Sequence, residues 1–584
     1  MCVLWTIAES TRLGVPAPFE DAAMLFRYAE NLAQGGGIAW NAGQAPGLTD
    51  GATDLGMVLA LAPLTLLGLS TAAAAIVLNL LAVFGIGALF GVLNNRLWHR
   101  TTWLPVAAAA LVGGGPVNRY VLSGFTPAVL GLLLLCAFTL VAIAPMARSD
   151  RNALLLLAGA GVTAGLAGWW RPEAFALAPL TVLFGLLLTR SAGHRRVIVL
   201  SSCGAFLLPF VLFVAGWIGF RIAYFGQLLP TSAVMKSGSV HADNAAFSLQ
   251  FYCSLILPLL GVLVARKLGR GSTRNWWLAA IALTAPALWV QAALPQDFWD
   301  KIGLSAAPTV SSVVAVLVLV PLLVALAVVG VRRRDGSWLL PLAIGTFSLA
   351  WTAIATTLNW WGRMQWPLLP VLAAIAITHI VWMRPATPDA HDQRRRTPLL
   401  VVAGLTVVGI APFHLPIGGY FESPFQTAVS DALRSVDTSD VRVATTEAGL
   451  IPLAVTGTAL DTYGHNNRSV AASHGGNLDA ELNAFRPNVI TMHGLPPTGV
   501  RLADCTTQVR AEQRKFTDIW SQMVDKIYAY TEREGMTLAR VSETTPCETW
   551  SIWLADDVDP QVRVAVQQLS MPGTDVTDTV YTGN

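Results

Sequence analysis

Two adjacent carboxylates, Glu20 and Asp21, stand at the start of an amphipathic helical pattern near the beginning of the chain. Leu25, Ala29 and Leu32 recur at helical spacing and form its apolar stripe. The same spacing predicts a polar opposite side, made of Arg27, Glu30, Asn31 and Gln34. The acidic pair can cap the helix, because the helix dipole favours negative charge there by about 0.3–1 kcal/mol. The pair can also supply a general base at a membrane surface. A carboxylate there is energetically costly unless it has a function.

The helix leads into a loop with two further carboxylates. The helical pattern stops at Gly35 to Gly37, and a stretch rich in glycine and proline continues to Asp50 and Asp54, beside the next apolar run. We therefore predict that residues 19–54 form a catalytic loop. The four carboxylates of this loop are also the side chains suited to a divalent metal, so a metal remains an open alternative: Glu20, Asp21, Asp50 and Asp54.

Cationic side chains occur in the connections between later apolar runs. Arg171 lies in Trp169–Glu173, and Arg221, Lys236 and Arg363 follow in later connections. An arginine or lysine at the membrane surface suits a phosphate group, and arginine is the better bidentate partner. Each has a structural alternative. Arg171 can pair with Glu173 at an interfacial helix end, Lys236 can be a solvated loop lysine, and Arg363 can extend to the interface among tryptophans.

The composition is that of a polytopic α-helical membrane protein. Of 584 residues, 54% are hydrophobic and 12% are charged, with a mean hydropathy of +0.55, whereas soluble domains are about 25% charged. The net charge of +3 gives no sign of nucleic-acid binding, so the expected partner is the lipid bilayer. The opening residues MCVLWTIA are too few to span it and lack the signals of a signal peptide. We expect them to be the end of a first membrane helix.

The apolar runs predict about 12–13 transmembrane helices. They cover 53–70, 73–95, 102–118, 122–147, 152–169, 174–190, 197–222, 247–266, 276–294, 309–331, 337–357, 366–383 and 397–415. Basic clusters in every second connection place those connections in the cytoplasm, and the others on the outer face of the plasma membrane. If 53–70 and 73–95 both span, the opening loop falls inside. Either 53–70, broken by Pro63, is only partly inserted, or one of the later assignments is wrong; we favour partial insertion.

The chain divides into a membrane module, residues 1–415, and a polar region, residues 416–584, predicted to be an extracytoplasmic α/β domain. Alternating and helical patterns predict its elements: a strand and turn over 441–455, helices over 479–485 and 512–533, and strands over 488–492 and 549–555. Cys505 and Cys547 can pair there if the compartment is oxidising.

Several motifs occur in an order that resembles a known family. They are Glu20-Asp21, Phe26-Arg27-Tyr28-Ala29-Glu30-Asn31-Leu32, Gly35 to Gly37, Thr49 to Thr53, Ser123 to Thr126, Arg171-Pro172-Glu173, Tyr224 to Pro230 with Lys236, Gly362-Arg363, Glu447 to Pro452 and Asp461 to Gly464. This order is similar to that of the membrane-embedded GT-C glycosyltransferases that use polyprenyl-phosphate sugars. The nearest resemblance is to the arabinofuranosyltransferases of actinobacterial cell walls and their uncharacterised relatives. Two departures stand out: Thr126 replaces a family glutamate, and Glu20 stands where aspartate is more common.

The resemblance implies that a sugar, arabinofuranose in the nearest subgroup, passes from a polyprenyl-phosphate donor to a hydroxyl of a cell-envelope glycan or other acceptor. Transfer would take place on the extracytoplasmic face with inversion at the anomeric carbon. It implies Asp21 as the general base, with Glu20 as a second candidate. It implies donor-phosphate binding by Arg171, Lys236 and Arg363. Further candidates for substrate binding are Glu173, Asp50, Asp54 and Tyr224.

Two other classes of protein remain as alternatives. A transporter or flippase of lipid-linked sugars would place ionisable residues near the middle of the bilayer on broken helices, often with inverted repeats. In this sequence the ionisable residues cluster at helix ends. A non-catalytic membrane scaffold that binds glycan would leave Glu20 and Asp21 dispensable.

Overall fold

A computed structural model of the chain describes most of the opening loop, part of the helical region and most of the C-terminal region. The described residues are 19–98, 117–191, 200–235, 245–253, 319–321, 323–328, 330–332, 338–352, 362–382, 424–494, 518–545, 548–569 and 574–575, with single positions at 112, 317 and 336. Lys236, Cys505 and Cys547, the opening residues MCVLWTIA and the apolar runs at 276–294 and 397–415 lie outside them.

The first part of the chain is helical. Its helices are α1 (Glu20–Ala33), α2 (Leu55–Leu66), α3 (Thr71–Arg96), α4 (Val117–Leu122), α5 (Pro127–Ile143), α6 (Asp150–Trp170), α7 (Ala174–Ser191), α8 (Leu200–Phe225), α9 (Thr231–Met235), α10 (Leu339–Ala350) and α11 (Leu369–Trp382). Short 3₁₀ turns cover Pro46–Leu48, Ala144–Met146 and Trp366–Leu368. The described helices follow the predicted apolar runs, because long runs without charges can bury backbone polar groups in lipid only as helices.

Four of the described helical segments are long and apolar enough to cross a membrane: Thr71–Arg96, Pro127–Met146, Asp150–Trp170 and Cys203–Phe225. Helix α2 differs, because it has 12 residues and spans about 18 Å, less than the roughly 30 Å hydrocarbon core. The partial insertion of 53–70 stays a prediction.

The C-terminal region contains a six-stranded sheet with helices. Its strands are β1 (Arg442–Thr445), β2 (Thr458–Asp461), β3 (Val489–Gly494), β4 (Thr537–Thr545), β5 (Glu548–Leu554) and β6 (Thr574–Asp575). Its helices are α12 (Pro424–Arg434), α13 (Leu450–Ala454), α14 (Arg468–Ala472), α15 (Leu478–Phe485), α16 (Asp518–Arg533) and α17 (Pro560–Gln567). The order across the sheet is β2-β1-β3-β5-β4-β6. β1 pairs in parallel with β2 and β3, and the remaining pairs are antiparallel.

Arg27 fastens helix α1 to the C-terminal region. Its side chain is only 6% exposed, so the polar side of the helix that the spacing predicts is buried at this residue. All five of its N–H groups donate hydrogen bonds, to the carbonyl oxygens of Trp40 (2.6 Å), Val455 (2.7 Å), Gly457 (2.9 Å) and Pro452, and to Asn41 Oδ1 (3.1 Å). Three of these acceptors lie at the end of α13 or just beyond it, where the helix leaves carbonyl groups without internal partners.

Candidate active site

Asp21 and Arg363 meet although 342 positions separate them in the chain. Arg363 Nη2 donates to Asp21 Oδ2 at 2.6 Å, and the guanidinium carbon lies 4.0 Å from the ring centroid of Phe125. Gly362 makes this placement achievable. Its φ is +70°, and a Cβ at that position would lie 2.4 Å from the ring of Phe251. The sequence Gly362-Arg363 thus turns the chain sharply against an aromatic ring and brings the arginine to the acidic pair.

A second charged group forms where α6 ends. Arg171 Nε donates to Glu173 Oε1 at 2.6 Å, and its Nη1 lies 3.1 Å from Asp54 Oδ1. Asp54 comes directly before α2, which packs closely on the end of α6. A Cβ at Gly56 would lie 2.7 Å from the backbone of Trp170, so glycine permits the approach. This close packing holds Asp54 beside Arg171.

Arg363 of the first charged group and all three residues of the second line one small cavity. Its wall combines charged, polar and apolar side chains: Asp54, Phe125, Thr126, Pro127, Leu130, Arg171, Glu173, Arg363, Met364 and Pro367. Helix α5 begins in this wall. The Thr126 side chain makes no capping hydrogen bond to that helix, and Thr126 Oγ1 instead accepts from Trp170 Nε1 at 3.1 Å. The positive end of the α5 dipole therefore adds to the two arginines.

Burial and neighbouring charge set the protonation of the cavity wall. Burial raises the pKa of the Asp54 carboxyl above its ordinary value, and nearby Arg171 opposes this rise. Burial alone would lower the pKa of the Arg171 guanidinium, but Asp54 and Glu173 outweigh it and raise that pKa. The guanidiniums of Arg171 and Arg363 thus face the carboxylates of Asp21, Asp54 and Glu173.

Glu20 lies beside Asp21 in sequence but contacts a different part of the chain. Its carboxylate accepts hydrogen bonds from the backbone N–H groups of Gly449 and of Leu450, the latter at 3.4 Å. Burial, followed by repulsion from Glu447, raises the pKa of the Glu20 carboxyl well above its ordinary value. Glu20 therefore belongs to the contact with the C-terminal region and is not part of the cavity wall.

Asp50 and Tyr224 support the opening loop away from the cavity wall. Asp50 forms an ion pair with Arg221 in which the side chains are 0% and 1% exposed, and it also accepts from Gln227 Nε2 at 2.9 Å. The Tyr224 hydroxyl accepts the backbone N–H of Ile38 at 2.8 Å. Arg221, one of the four cationic residues considered for phosphate binding, is therefore engaged with Asp50 and is not among the residues that line the cavity.

The candidate metal ligands do not converge. Glu20 contacts backbone of the C-terminal region, Asp50 pairs with Arg221, and Asp21 and Asp54 each face an arginine. Within the described ranges, no group of three histidine, cysteine or acidic side chains is arranged to hold a metal ion. The four candidate carboxylates are therefore too dispersed to hold one divalent metal together.

One feature of the site was not predicted from the sequence, namely Phe125, whose ring lies against the Arg363 guanidinium. The available signal was its place in the motif Ser123 to Thr126, directly before Thr126. Of the predicted residues, the structure groups Asp21, Asp54, Arg171, Glu173 and Arg363.

The chain matches no protein-family model and no curated protein sequence. Among solved structures it is similar to the crystal structure of ArnT from Cupriavidus metallidurans bound to undecaprenyl phosphate, with 14% sequence identity and a TM-score of 0.44 over 96% of this chain and 99% of that one. The apo-state crystal structure of ArnT from the same organism is similar with 14% identity and a TM-score of 0.42, over 94% and 97% of the two chains. Similarity at this level identifies neither a function nor a substrate.

Proposed function

We propose that the chain is a membrane glycosyltransferase that moves a sugar from a polyprenyl-phosphate donor to a hydroxyl of an envelope glycan or another acceptor. The observation that carries the proposal is the 2.6 Å contact between Asp21 and Arg363 at a cavity that Arg171 also lines. It joins a carboxylate able to take a proton to a guanidinium able to bind a phosphate. Arabinofuranose is the sugar that the sequence motifs favour.

The cavity wall suits an amphipathic anion better than a free sugar. Arginine side chains and the N-terminus of α5 favour a phosphate. Leu130, Met364 and Pro367 supply apolar surface for the first part of a lipid chain. The cavity lies where α6 ends, at Trp170. The most apolar part of this helix has a mean hydropathy of 1.6. A donor with its tail in the bilayer can thus present its phosphate without leaving the membrane.

We propose that the reaction is a single displacement, as the resemblance of the sequence motifs implies. Asp21 accepts the proton of the acceptor hydroxyl while the hydroxyl oxygen forms a bond to the anomeric carbon. The bond between that carbon and the phosphate oxygen breaks, and its electron pair stays on the phosphate. Arg171 and Arg363, with Lys236 as a further candidate, stabilise the charge that grows there. Attack opposite the departing phosphate inverts the anomeric centre.

Phosphate binding also frees the base. In the described contact, the Asp21 carboxylate is held by Arg363. A donor phosphate competes with Asp21 for that guanidinium. The competition weakens the ion pair between Asp21 and Arg363 and raises the affinity of the Asp21 carboxylate for a proton. The arrangement thus couples arrival of the donor to activation of the base, and it limits proton transfer when no donor is bound.

The test is transfer from a radiolabelled polyprenyl-phosphate sugar in membranes that contain the protein. Asp21→Asn keeps the shape and removes the basic carboxylate, so we expect transfer to fall by on the order of 10²–10⁴-fold. The matched control is Asp557→Asn, because Asp557 forms an exposed pair with Arg442 at 3.0 Å. Wild-type rates in Asp21→Asn contradict the assignment of the base. No transfer by the wild type from any polyprenyl-phosphate sugar, with the protein folded, contradicts the proposed function.

A further inference from the structure

A second group of polar and aromatic side chains lies at the carboxyl ends of β1 and β3. These strands are neighbours, and the chain leaves them in opposite directions across the sheet, from β1 toward β2 and from β3 toward the antiparallel half. Such a switch point opens a crevice in which α/β sheets characteristically bind ligands. Glu447 follows β1 and His493 lies in β3, with His493 Nδ1 3.1 Å from Glu447 Oε1. Their side chains are 25% and 22% exposed, so both reach solvent.

Aromatic rings surround this pair. The His493 ring stacks on Trp550 with centroids 4.4 Å apart and planes within 5°. Trp520 stands edge-on to His493 at 6.1 Å and lies 5.5 Å from Tyr463. Trp550 is buried and packs against one face of the imidazole, whereas Trp520 and Tyr463 are partly exposed. The crevice therefore presents aromatic faces beside a carboxylate and an imidazole.

This chemistry suits a saccharide. The C–H face of a sugar ring is apolar and packs on an aromatic face, while its hydroxyls donate to a carboxylate and exchange hydrogen bonds with an imidazole. An anion fits less well, because the Glu447 carboxylate would repel it. A wholly apolar ligand would leave the Glu447–His493 pair buried and without water.

The Glu447–His493 pair lies close in the chain to the residues that contact the start of helix α1. Glu447 comes two residues before Gly449, whose backbone N–H donates to the Glu20 carboxylate. Glu20 precedes Asp21 in helix α1, and Asp21 contacts Arg363 in the cavity wall. These contacts relate the switch-point crevice to the helix that carries the proposed base.

We propose that the crevice formed by Glu447, Tyr463, His493 and Trp520 binds the saccharide of the acceptor and directs its hydroxyl toward Asp21. This inference rests on the proposed function for the direction of transfer, but binding itself needs no turnover. It gives the C-terminal region a specific task, which is to select a glycan acceptor over a simple alcohol or lipid.

The test is saturation-transfer NMR on the full-length protein in nanodiscs, without donor. The probes are three neutral trisaccharides built from arabinofuranose, mannose and glucose. We expect at least one to bind, and Trp520→Ala to weaken that binding by at least about tenfold. Trp520→Phe keeps an aromatic face and is expected to retain binding. Trp553→Ala is the matched control, because Trp553 is a partly buried tryptophan of the same small core, against Tyr528.

Each outcome separates this inference from the proposed function. Binding that is lost in Trp520→Ala and kept in Trp553→Ala supports the crevice, even if no polyprenyl-phosphate sugar is ever used. Absence of binding by all three probes, or equal binding in Trp520→Ala and wild type, overturns the crevice. Transfer to a glycan by a Trp520→Ala variant with an unchanged KM for the acceptor overturns it as well.

Discussion

The Glu20 carboxylate accepts the backbone N–H of Gly449, while its neighbour Asp21 accepts Nη2 of Arg363. Successive residues of an α-helix point about 100° apart, so one acidic pair can serve two surfaces. Glu20 binds the start of α1 to the C-terminal region, and Asp21 faces Arg363 in the helical region. The motif Glu20-Asp21 thus sets the proposed base at the junction of the two regions.

Arg363→Lys tests whether the planar guanidinium matters. Lysine keeps the positive charge but loses the bidentate fork and the flat contact with Phe125. We expect kcat/KM for the lipid-linked donor to fall by about 10- to 100-fold. The measurement is initial transfer rate against donor concentration at saturating acceptor. Arg442→Lys, in an exposed ion pair of the C-terminal region, is the control. Equal kcat/KM in Arg363→Lys and wild type would show that any cation suffices.

Gly362→Ala tests the turn that delivers Arg363. Alanine at a φ of +70° is strained, and its Cβ would lie 2.4 Å from the ring of Phe251. Gly226 has a φ of +68° with open space around it, so Gly226→Ala carries the strain alone. We expect Gly226→Ala to cost about 1 kcal/mol and Gly362→Ala about 2–4 kcal/mol, with loss of transfer. Equal melting temperatures for the two variants would contradict the close packing on Phe251.

Arg27→Met tests the fastening between α1 and the C-terminal region. Removing the guanidinium leaves five hydrogen-bond acceptors without their donor, several of them buried. We expect a loss of about 3–5 kcal/mol of stability, seen as a lower melting temperature and faster proteolysis at the C-terminal region. Arg434→Met is the control, because Arg434 is 46% exposed and its ion pair with Asp431 lies at the surface. Similar melting temperatures for both variants would contradict the role of Arg27.

The sequence predicts the described apolar helices because their signal is local. An uncharged apolar run carries its own reason to be helical in lipid. The same local signal cannot identify the partners of Arg27, because one of them, Pro452, lies 425 positions away and helical spacing reports only the helix itself. The pairing of Asp50 with Arg221 spans 171 positions and could not be chosen over other cations by spacing. The motif order did bring Asp21 and Arg363 into one hypothesis, though it could not separate Asp21 from Glu20.

Glu20→Gln tests the electrostatics of the junction. The pKa of Glu20 is raised in the folded chain above its ordinary value of 4.5 by burial and by Glu447. The folded state therefore holds this proton more tightly than the unfolded state. The stability that results is complete below about pH 4.5 and is lost as the pH rises through the raised value. Glutamine carries no charge at any pH and keeps one oxygen to accept the N–H of Gly449.

We therefore expect Glu20→Gln to gain stability relative to wild type as the pH rises from about 5 to about 8. The measurement is the difference in melting temperature between the two proteins across that range, in which groups common to both cancel. Glu447→Gln should reduce the pH dependence of wild type in the same direction, because it removes the second cause of the raised pKa. A difference in melting temperature that does not change with pH would contradict this expectation, as would a Glu20→Gln variant less stable than wild type at high pH. Either result would mean that ionisation of Glu20 does not destabilise the folded chain.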